Sequence, residues 1–212
     1  MSISKEQSTG LWILGGVLLF SVVITNNKPL DHKTLDSMPE ATGVVIFSSE
    51  SESKKAIEEI NKIRQGYGKP PINYSTKAYN LAVARARDMN QYRYYDHMNP
   101  ETKTCADTMK FDYGFSSKDY LAENINTYVN VSGSYALSVE TMSDSIKAWM
   151  NSRGHRYNLL YDMHVAGAVG CEGNKCVFLG LNTERFGEGC HTAKEGLEYW
   201  DKAKPQSGEI VR

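Results

Sequence analysis

Hydrophobic and charged residues are unevenly spread along the chain, and the clearest apolar stretch lies near its N-terminus. Residues 9–25 contain no charged side chain, and the segment from Leu11 to Ile24 reads LWILGGVLLFSVVI. This is short for a bilayer-spanning helix, which needs about 17–25 residues, and long for the apolar part of a cleaved secretion signal, which has about 7–15. No small-x-small cleavage site follows. The pattern predicts a transmembrane signal-anchor within residues 1–28, with a cleaved signal as the alternative.

A polar linker and three segments with helical spacing of apolar residues follow the N-terminal stretch. Residues 29–51 are polar, are interrupted by prolines and are predicted to be a linker. Beyond them, apolar residues recur at helical spacing in three segments near residues 52–66, 76–92 and 138–150. These segments predict amphipathic helices whose apolar faces pack in a core.

The C-terminal third changes from helical spacing to a pattern typical of strands. Val165–Val169 and Cys176–Asn182 are predicted strands, with Gly173 and Asn174 as a two-residue turn between them. In such a hairpin Glu172 faces Lys175 in the hydrogen-bonded pair next to the turn. Cys171 and Cys176 are the next pair out, which is the close, non-hydrogen-bonded kind. Their α-carbons then lie within reach of a disulfide.

The pairing of the four cysteines indicates whether the domain lies in an oxidising or a reducing compartment. A Cys171–Cys176 bond leaves Cys105 to pair with Cys190 by elimination. Four free buried thiols in a reducing compartment are the alternative. The hairpin geometry and the leading apolar segment together favour two disulfides, with the bulk of the chain outside the cytoplasm. The globular domain is predicted to span residues 52–190, and residues 191–212 to form a partly disordered tail.

Composition excludes several classes of protein. The chain has 212 residues, of which 41% are hydrophobic and 23% charged, and its formal net charge is -1. This is too apolar for a disordered chain and too polar for a multi-pass membrane protein. It lacks the basic excess that binding to phosphates requires, so we expect no nucleic-acid partner.

Three polar segments carry the candidate chemistry. They read HMNP from His97, LAENI from Leu121 and WMNSRGHRYNLL from Trp149. In this order they resemble the signature motifs of the CAP superfamily, the cysteine-rich secretory, antigen 5 and pathogenesis-related 1 proteins, whose unit is the SCP domain. The resemblance covers about residues 52–187 and is greatest to the microbial branch. It implies an α+β fold, a three-layer α-β-α sandwich, in a protein that is secreted or tethered outside the cell.

The resemblance also implies a cleft lined by histidine and glutamate side chains. His97, His155 and Glu123 match two family histidines and one of two family glutamates, whereas Ser152 occupies the place of the second glutamate. Two imidazoles and one carboxylate suit Zn²⁺ with an open coordination position. Without metal, Glu123 would hold the two histidines as a hydrogen-bonding hub. Structural, metal-binding and catalytic roles of this set all stay open.

The function expected from these observations is binding outside the cell. Some members of the family bind lipids or sterols and others bind metal ions, so the expected partners are the membrane, through the N-terminal segment, and a lipid, small molecule or metal ion. The alternatives are a metal-dependent, protease-like hydrolase at the cell envelope and a pure adhesion module. The sequence has no GxSxG, HExxH or reactive-cysteine motif, so we expect no protease or esterase turnover.

Overall fold

The computed structural model describes residues 48–127, 139–185 and 189–203. Within these residues the helices are α1 (Glu50–Gly66), α2 (Thr76–Gln91), α3 (Ala106–Met109), α4 (Val139–Asn151), α5 (Arg153–Leu159) and α6 (Ala193–Ala203), and a 3₁₀ turn (Lys110–Tyr113) follows α3. The strands are β1 (Asn73–Tyr74), β2 (Tyr120–Thr127), β3 (His164–Glu172) and β4 (Lys175–Asn182). The three predicted helices and the two predicted strands are confirmed as α1, α2, α4, β3 and β4.

The four strands form one mixed sheet in the order β1-β3-β4-β2. The short β1 pairs in parallel with β3, and the other pairs are antiparallel. The β3–β4 hairpin has the predicted register, because Glu172 pairs with Lys175 and Cys171 with Cys176. Both predicted disulfides, Cys171–Cys176 and Cys105–Cys190, are present.

Helices cover both faces of this sheet and create two cores. Neighbouring residues of a strand point to opposite faces, so Ala168 and Leu179 join the core that α2 covers, while Val169 and Phe178 join the core that α1 and α4 cover. Trp149 of α4 is 1% exposed and packs in the second core. The fold is therefore the α-β-α sandwich that the resemblance implied.

Close contact between α2 and the sheet depends on small residues. Ala78, Ala82 and Ala86 of α2 are fully buried. A Cβ atom at Gly170 of β3 would lie 2.5 Å from the backbone nitrogen of Val83 and 2.8 Å from the Cβ of Ala82. A glycine is needed at this position because the helix backbone occupies the space of any side chain.

The fold begins before the predicted domain boundary at residue 52. The Ser48 N–H donates to the carbonyl of Cys171, and the Cys171 N–H donates to Ser48 Oγ. Ser49 caps α1 in a capping box with Glu52. The last residues of the predicted linker thus belong to the domain, because a helix end needs partners for its free N–H groups.

The chain after Cys190 also differs from the prediction, since a helix stands where a tail was expected. Thr192 and Glu195 form reciprocal hydrogen bonds at the start of α6, a capping signal that the sequence analysis missed. Residues 204–212 and the predicted membrane segment from Leu11 to Ile24 lie outside the described residues. Among the helices that are described, none is long and apolar enough to cross a bilayer.

The approach of α2 to β3 predicts the effect of one added methyl group. Gly170→Ala should lower the free energy of unfolding by about 3 kcal/mol, because the obstructing atoms belong to the helix backbone and have little freedom to move. Gly66→Ala is the matched control, since nothing lies within 4 Å of its added Cβ. It should leave stability unchanged or raise it by up to about 1 kcal/mol. Unfolding in guanidinium chloride measures the stability of both variants. Equal unfolding midpoints for the two would contradict the close approach of α2 to β3 at Gly170.

Candidate functional site

The candidate site is built around Glu123, which lies on the edge strand β2. One carboxylate oxygen, Oε1, is 2.9 Å from His97 Nδ1, and the other, Oε2, accepts a hydrogen bond of 2.9 Å from Arg85 Nε. The Glu123 side chain is 9% exposed and that of His97 18%. Both oxygens of the carboxylate are therefore engaged inside the protein.

Arg85 of α2 is the residue on which this arrangement depends, and its side chain is completely buried. Besides Glu123, its guanidinium donates to Asp88 and to Tyr94 Oη. It also donates to the backbone carbonyls of Asp96 and His97. All three guanidinium nitrogens thus have partners, and the loop that carries His97 is held against α2.

Arg85 is not among the predicted site residues, although the sequence contains a signal for it. Leu81, Ala82, Ala86 and Met89 form the buried face of α2, and position 85 falls on the same face. A charged residue at such a position must have a buried partner of opposite charge or a set of hydrogen bonds. The helical spacing therefore indicated an internal ion pair but not its partner.

Electrostatics keep the carboxyl group of Glu123 ionised. Burial raises its pKa, but the positive charge of Arg85 and the hydrogen bonds from His97 and Arg85 outweigh burial and lower the pKa to about 2. Burial alone would lower the pKa of Arg85, yet Glu123 raises it above its ordinary value. Glu123 and Arg85 therefore form an ion pair throughout the physiological pH range.

His155 reaches the same region from α5, on the other side of β2. Asn124, the residue after Glu123, donates from Nδ2 to the His155 carbonyl over 3.0 Å. Asn158 donates to Asn124 Oδ1 over 2.8 Å, and the buried His164 has its Nε2 2.6 Å from the Asn158 carbonyl. This buried polar chain fixes α5, and with it His155, onto the strand that carries Glu123.

His155 is a neutral imidazole at neutral pH. Burial, reinforced by the charge of His97, lowers its pKa to about 4. A neutral imidazole has one N–H donor and one nitrogen acceptor. His155 can therefore donate a hydrogen bond to a ligand without carrying a positive charge.

The three predicted residues line one cleft of about 780 Å³. Ser152, at the place of the second family glutamate, lines it too. The cleft has a further histidine, His191, which the sequence analysis assigned to the tail. Its ring centroid lies 5.4 Å from that of His97. The sequence signal for its position is the predicted Cys105–Cys190 disulfide, which brings the residue after Cys190 to the start of α3.

The charges along the cleft are not balanced. Its two lining carboxylates are paired, Glu123 with Arg85 and Asp107 with Lys110 at 2.7 Å. Arg153 and Arg185 also line the cleft, and no carboxylate of the described residues lies within 4.0 Å of either guanidinium.

Apolar side chains complete the lining. Phe111 and Leu197 are 55% and 67% exposed, and Leu121 lines the cleft with them. The cleft therefore presents both exposed apolar side chains and positively charged guanidinium groups. Such a surface suits a molecule that has both an apolar and an anionic part.

The arrangement does not match the three-ligand zinc site that the sequence implied. Zinc binding would require a carboxylate oxygen of Glu123, but both oxygens are held by His97 and Arg85. Within the described residues, no three histidine, cysteine, aspartate or glutamate side chains are grouped so that they could hold a metal ion. Glu123 and His97 are instead joined by a hydrogen bond, and His155 lines the same cleft.

Comparison with known proteins assigns the family. The sequence model of the "Cysteine-rich secretory protein family", CAP, matches residues 57–179, more than half of the chain. This chain belongs to the CAP family. The matched region contains His97, Glu123 and His155, and it ends before Cys190 and His191.

One curated relative matches this chain over part of its length. The chain is 32% identical over 142 residues to the protein YkwD of Bacillus subtilis, described as uncharacterized, in an alignment that covers 64% of this chain and 51% of YkwD. The chain thus spans about half the length of this curated relative.

Two solved structures share the fold at low sequence identity. An extracellular protein of Bacillus anthracis that contains an SCP domain has a TM-score of 0.52 at 18% identity, over 73% of this chain and 45% of that one. An outer surface protein of Borrelia burgdorferi has a TM-score of 0.53 at 15% identity, over 68% of this chain and 100% of that one.

The low pKa of Glu123 predicts how its replacement affects stability. A carboxyl whose pKa is depressed in the folded state contributes stability above its unfolded pKa of about 4.3, and that contribution is lost as pH falls through the folded value. Glu123→Gln should therefore lower the free energy of unfolding by about 3 kcal/mol at pH 7, and the deficit should shrink as pH falls from 5 towards 2.

Urea unfolding at a series of pH values measures this difference. The matched control is Glu198→Gln, which changes an exposed carboxyl of α6 that does not line the cleft and should alter stability by less than about 0.5 kcal/mol. A deficit for Glu123→Gln that stays constant between pH 7 and pH 2 would show that the ion pair does not stabilise the fold.

Proposed function

We propose that this chain is an extracellular ligand-binding protein, held at the membrane by its N-terminal segment, whose cleft binds a small anionic molecule with an apolar portion. The observation that carries the proposal is the charge balance of the cleft. Glu123 and Asp107 are neutralised by Arg85 and Lys110, so the charges left to a ligand are cationic. A ligand anion is the complement of such a surface.

The size and lining of the cleft support binding of an organic molecule. A volume of about 780 Å³ falls within the range that small-molecule sites occupy, about 300–1,000 Å³. Imidazole N–H groups and the guanidinium groups of Arg153 and Arg185 supply donors for an anion. Phe111, Leu121 and Leu197 supply apolar surface for the rest of the molecule.

The site favours binding over hydrolysis. A general base works best with a pKa near the working pH, whereas the pKa of Glu123 is lowered to about 2. Its two oxygens are also occupied, so the carboxylate cannot approach a water molecule without breaking a buried ion pair. We therefore propose that Glu123 holds His97 in place rather than activating water.

Several features support a location outside the cytoplasm. Two disulfides, one of which closes a loop of 85 residues, suit an oxidising compartment. The two solved structures that share the fold are named as an extracellular protein and an outer surface protein. The uncharged segment from Leu11 to Ile24 supports attachment to the membrane.

Three probes with the same six-carbon chain test the proposed ligand class. Full-length protein is titrated with hexanesulfonate, hexylamine and hexanol, and binding is followed by NMR against a blank with the same detergent. We expect hexanesulfonate to bind about tenfold more tightly than either of the others, because only its head group complements the cations of the cleft. In the variant Arg153→Ala with Arg185→Ala its affinity should fall to that of hexanol, because these two guanidinium groups are the cations that remain for a ligand. Equal affinities of the anion and the amine would overturn the proposal.

A zinc titration tests the competing interpretation of the site. Because both Glu123 oxygens are engaged, we expect calorimetry with Zn²⁺ to detect no one-to-one binding that depends on His97 and His155. The comparison is wild type against His97→Ala with His155→Ala at pH 7. Stoichiometric zinc binding that this double variant loses would instead support the metal-dependent hydrolase.

A further inference from the structure

The chain beyond the family match contributes a wall to the cleft. We define residues 189–198 as the C-terminal segment. Five of its residues line the cleft, namely Gly189, His191, Ala193, Gly196 and Leu197. Ala193, Gly196 and Leu197 are spaced by three and one, so they lie on one face of α6. This face of the helix is turned to the cleft.

Two bonds hold the C-terminal segment beside the signature histidine. The Cys105–Cys190 disulfide ties it to the residue before α3, and Cys105 itself lines the cleft. The backbone N–H of Ala193 donates to Asp96 Oδ1 over 2.7 Å, and the same oxygen accepts the N–H of His97 over 2.6 Å. One carboxylate oxygen therefore connects the start of α6 to the backbone of His97.

These bonds place a third imidazole next to the predicted pair. The His191 ring lies 5.4 Å from the His97 ring, at an interplanar angle of 38°. His191 also packs against α6, where a Cβ at Gly196 would lie 3.1 Å from the ring atom Cδ2. Glycine inside a helix costs about 1 kcal/mol relative to alanine, and here its lack of a side chain leaves room for the His191 ring.

Leu197 adds an apolar contact on the same wall. It is 67% exposed although it is a large apolar side chain on the helix face that borders the cleft. Its neighbour Glu198 is also exposed but does not line the cleft. The C-terminal segment thus brings one polar and one apolar side chain to the surface that faces a ligand.

We propose that the C-terminal segment is part of the binding site, with His191 contacting the anionic group of the ligand and Leu197 its apolar portion, and that the Cys105–Cys190 disulfide keeps it closed over the cleft. This inference rests on the proposed function. The segment lies outside residues 57–179, the part matched by the family model. The segment and Arg185 are therefore parts of the cleft lining that lie outside the matched region.

Binding of hexanesulfonate to full-length variants tests the ligand contacts. His191→Ala should weaken binding about tenfold, as expected for loss of a hydrogen bond to a charged group. Leu197→Ser should weaken it about threefold through lost apolar contact, and Glu198→Ser, its matched control, should not change it. Gly196→Ala should raise the melting temperature but weaken binding, because the added methyl group displaces the His191 ring. If the segment had only a structural role, a variant with a raised melting temperature would not bind hexanesulfonate more weakly.

Chemical modification tests the closed position of the segment without any ligand. Diethyl pyrocarbonate modifies accessible histidines, and peptide mass spectrometry gives a rate for each. In Cys105→Ser with Cys190→Ser, His97 should react at least about threefold faster than in wild type. His164 is 2% exposed and serves as an internal control, because it should stay unreactive as long as the sandwich is folded. Cys171→Ser with Cys176→Ser, which removes the other disulfide, should not accelerate the reaction of His97.

The possible outcomes separate this inference from the proposed function. Hexanesulfonate binding that requires Arg153 and Arg185 but is unchanged in His191→Ala and Leu197→Ser would overturn the segment's part in the site and leave the proposed function standing. Absence of hexanesulfonate binding to wild type would overturn the proposed function and the ligand contacts together. An unchanged reaction rate of His97 after loss of the Cys105–Cys190 disulfide would overturn the closed position of the segment.

Discussion

The buried ion pair between Arg85 and Glu123 is the interaction on which the site depends. Arg85 is fully buried in α2, and its guanidinium contacts two carboxylates, a tyrosine hydroxyl and two backbone carbonyls. A buried cation requires this many partners, since an unpaired charge in the protein interior costs several kcal/mol. The need to satisfy Arg85 thus joins helix α2, strand β2 and the loop of His97 into one unit.

The alternation of strand β2 extends this unit to the opposite face of the sheet. Glu123 points to the α2 side, where it meets Arg85 and His97, and Asn124 points to the α5 side, where it binds the His155 carbonyl. Two successive residues of one strand therefore connect both histidines. The cleft is lined by residues from both sides of β2, by His97 and Glu123 on one side and by His155 on the other.

The same ion pair determines the chemical character of the cleft. Because Glu123 is committed to Arg85 and His97, it is a positioning group and not a free ligand or base, and the remaining lining charges are positive. This explains how a cleft with two histidines and a glutamate, which by composition alone suits zinc, supports a proposal of anion binding. The nature of the site depends on the partners of its carboxylate and not only on its residue types.

The amino-acid sequence by itself determined most of the layered fold. Apolar residues at helical spacing predicted α1, α2 and α4, and the Gly173-Asn174 turn predicted the hairpin register that pairs Cys171 with Cys176. These features depend on contacts between residues close in sequence. The signature motifs also marked His97, Glu123 and His155, because each lies within a short recognisable segment. The membrane segment from Leu11 to Ile24 stays a prediction.

Only the tertiary structure decided what surrounds those residues. The partner of Arg85 lies 38 residues away in sequence, and the Cys105–Cys190 bond that brings His191 to His97 closes a loop of 85 residues. The cysteine count predicted that bond, but spacing along the chain did not identify the partner of Arg85 or the position of His191 beside His97. Both depend on how the helices and the C-terminal segment pack on the sheet. His97, Glu123 and His155 were therefore readable from the sequence, whereas their charge state, their partners and the wall formed by α6 were fixed by long-range packing.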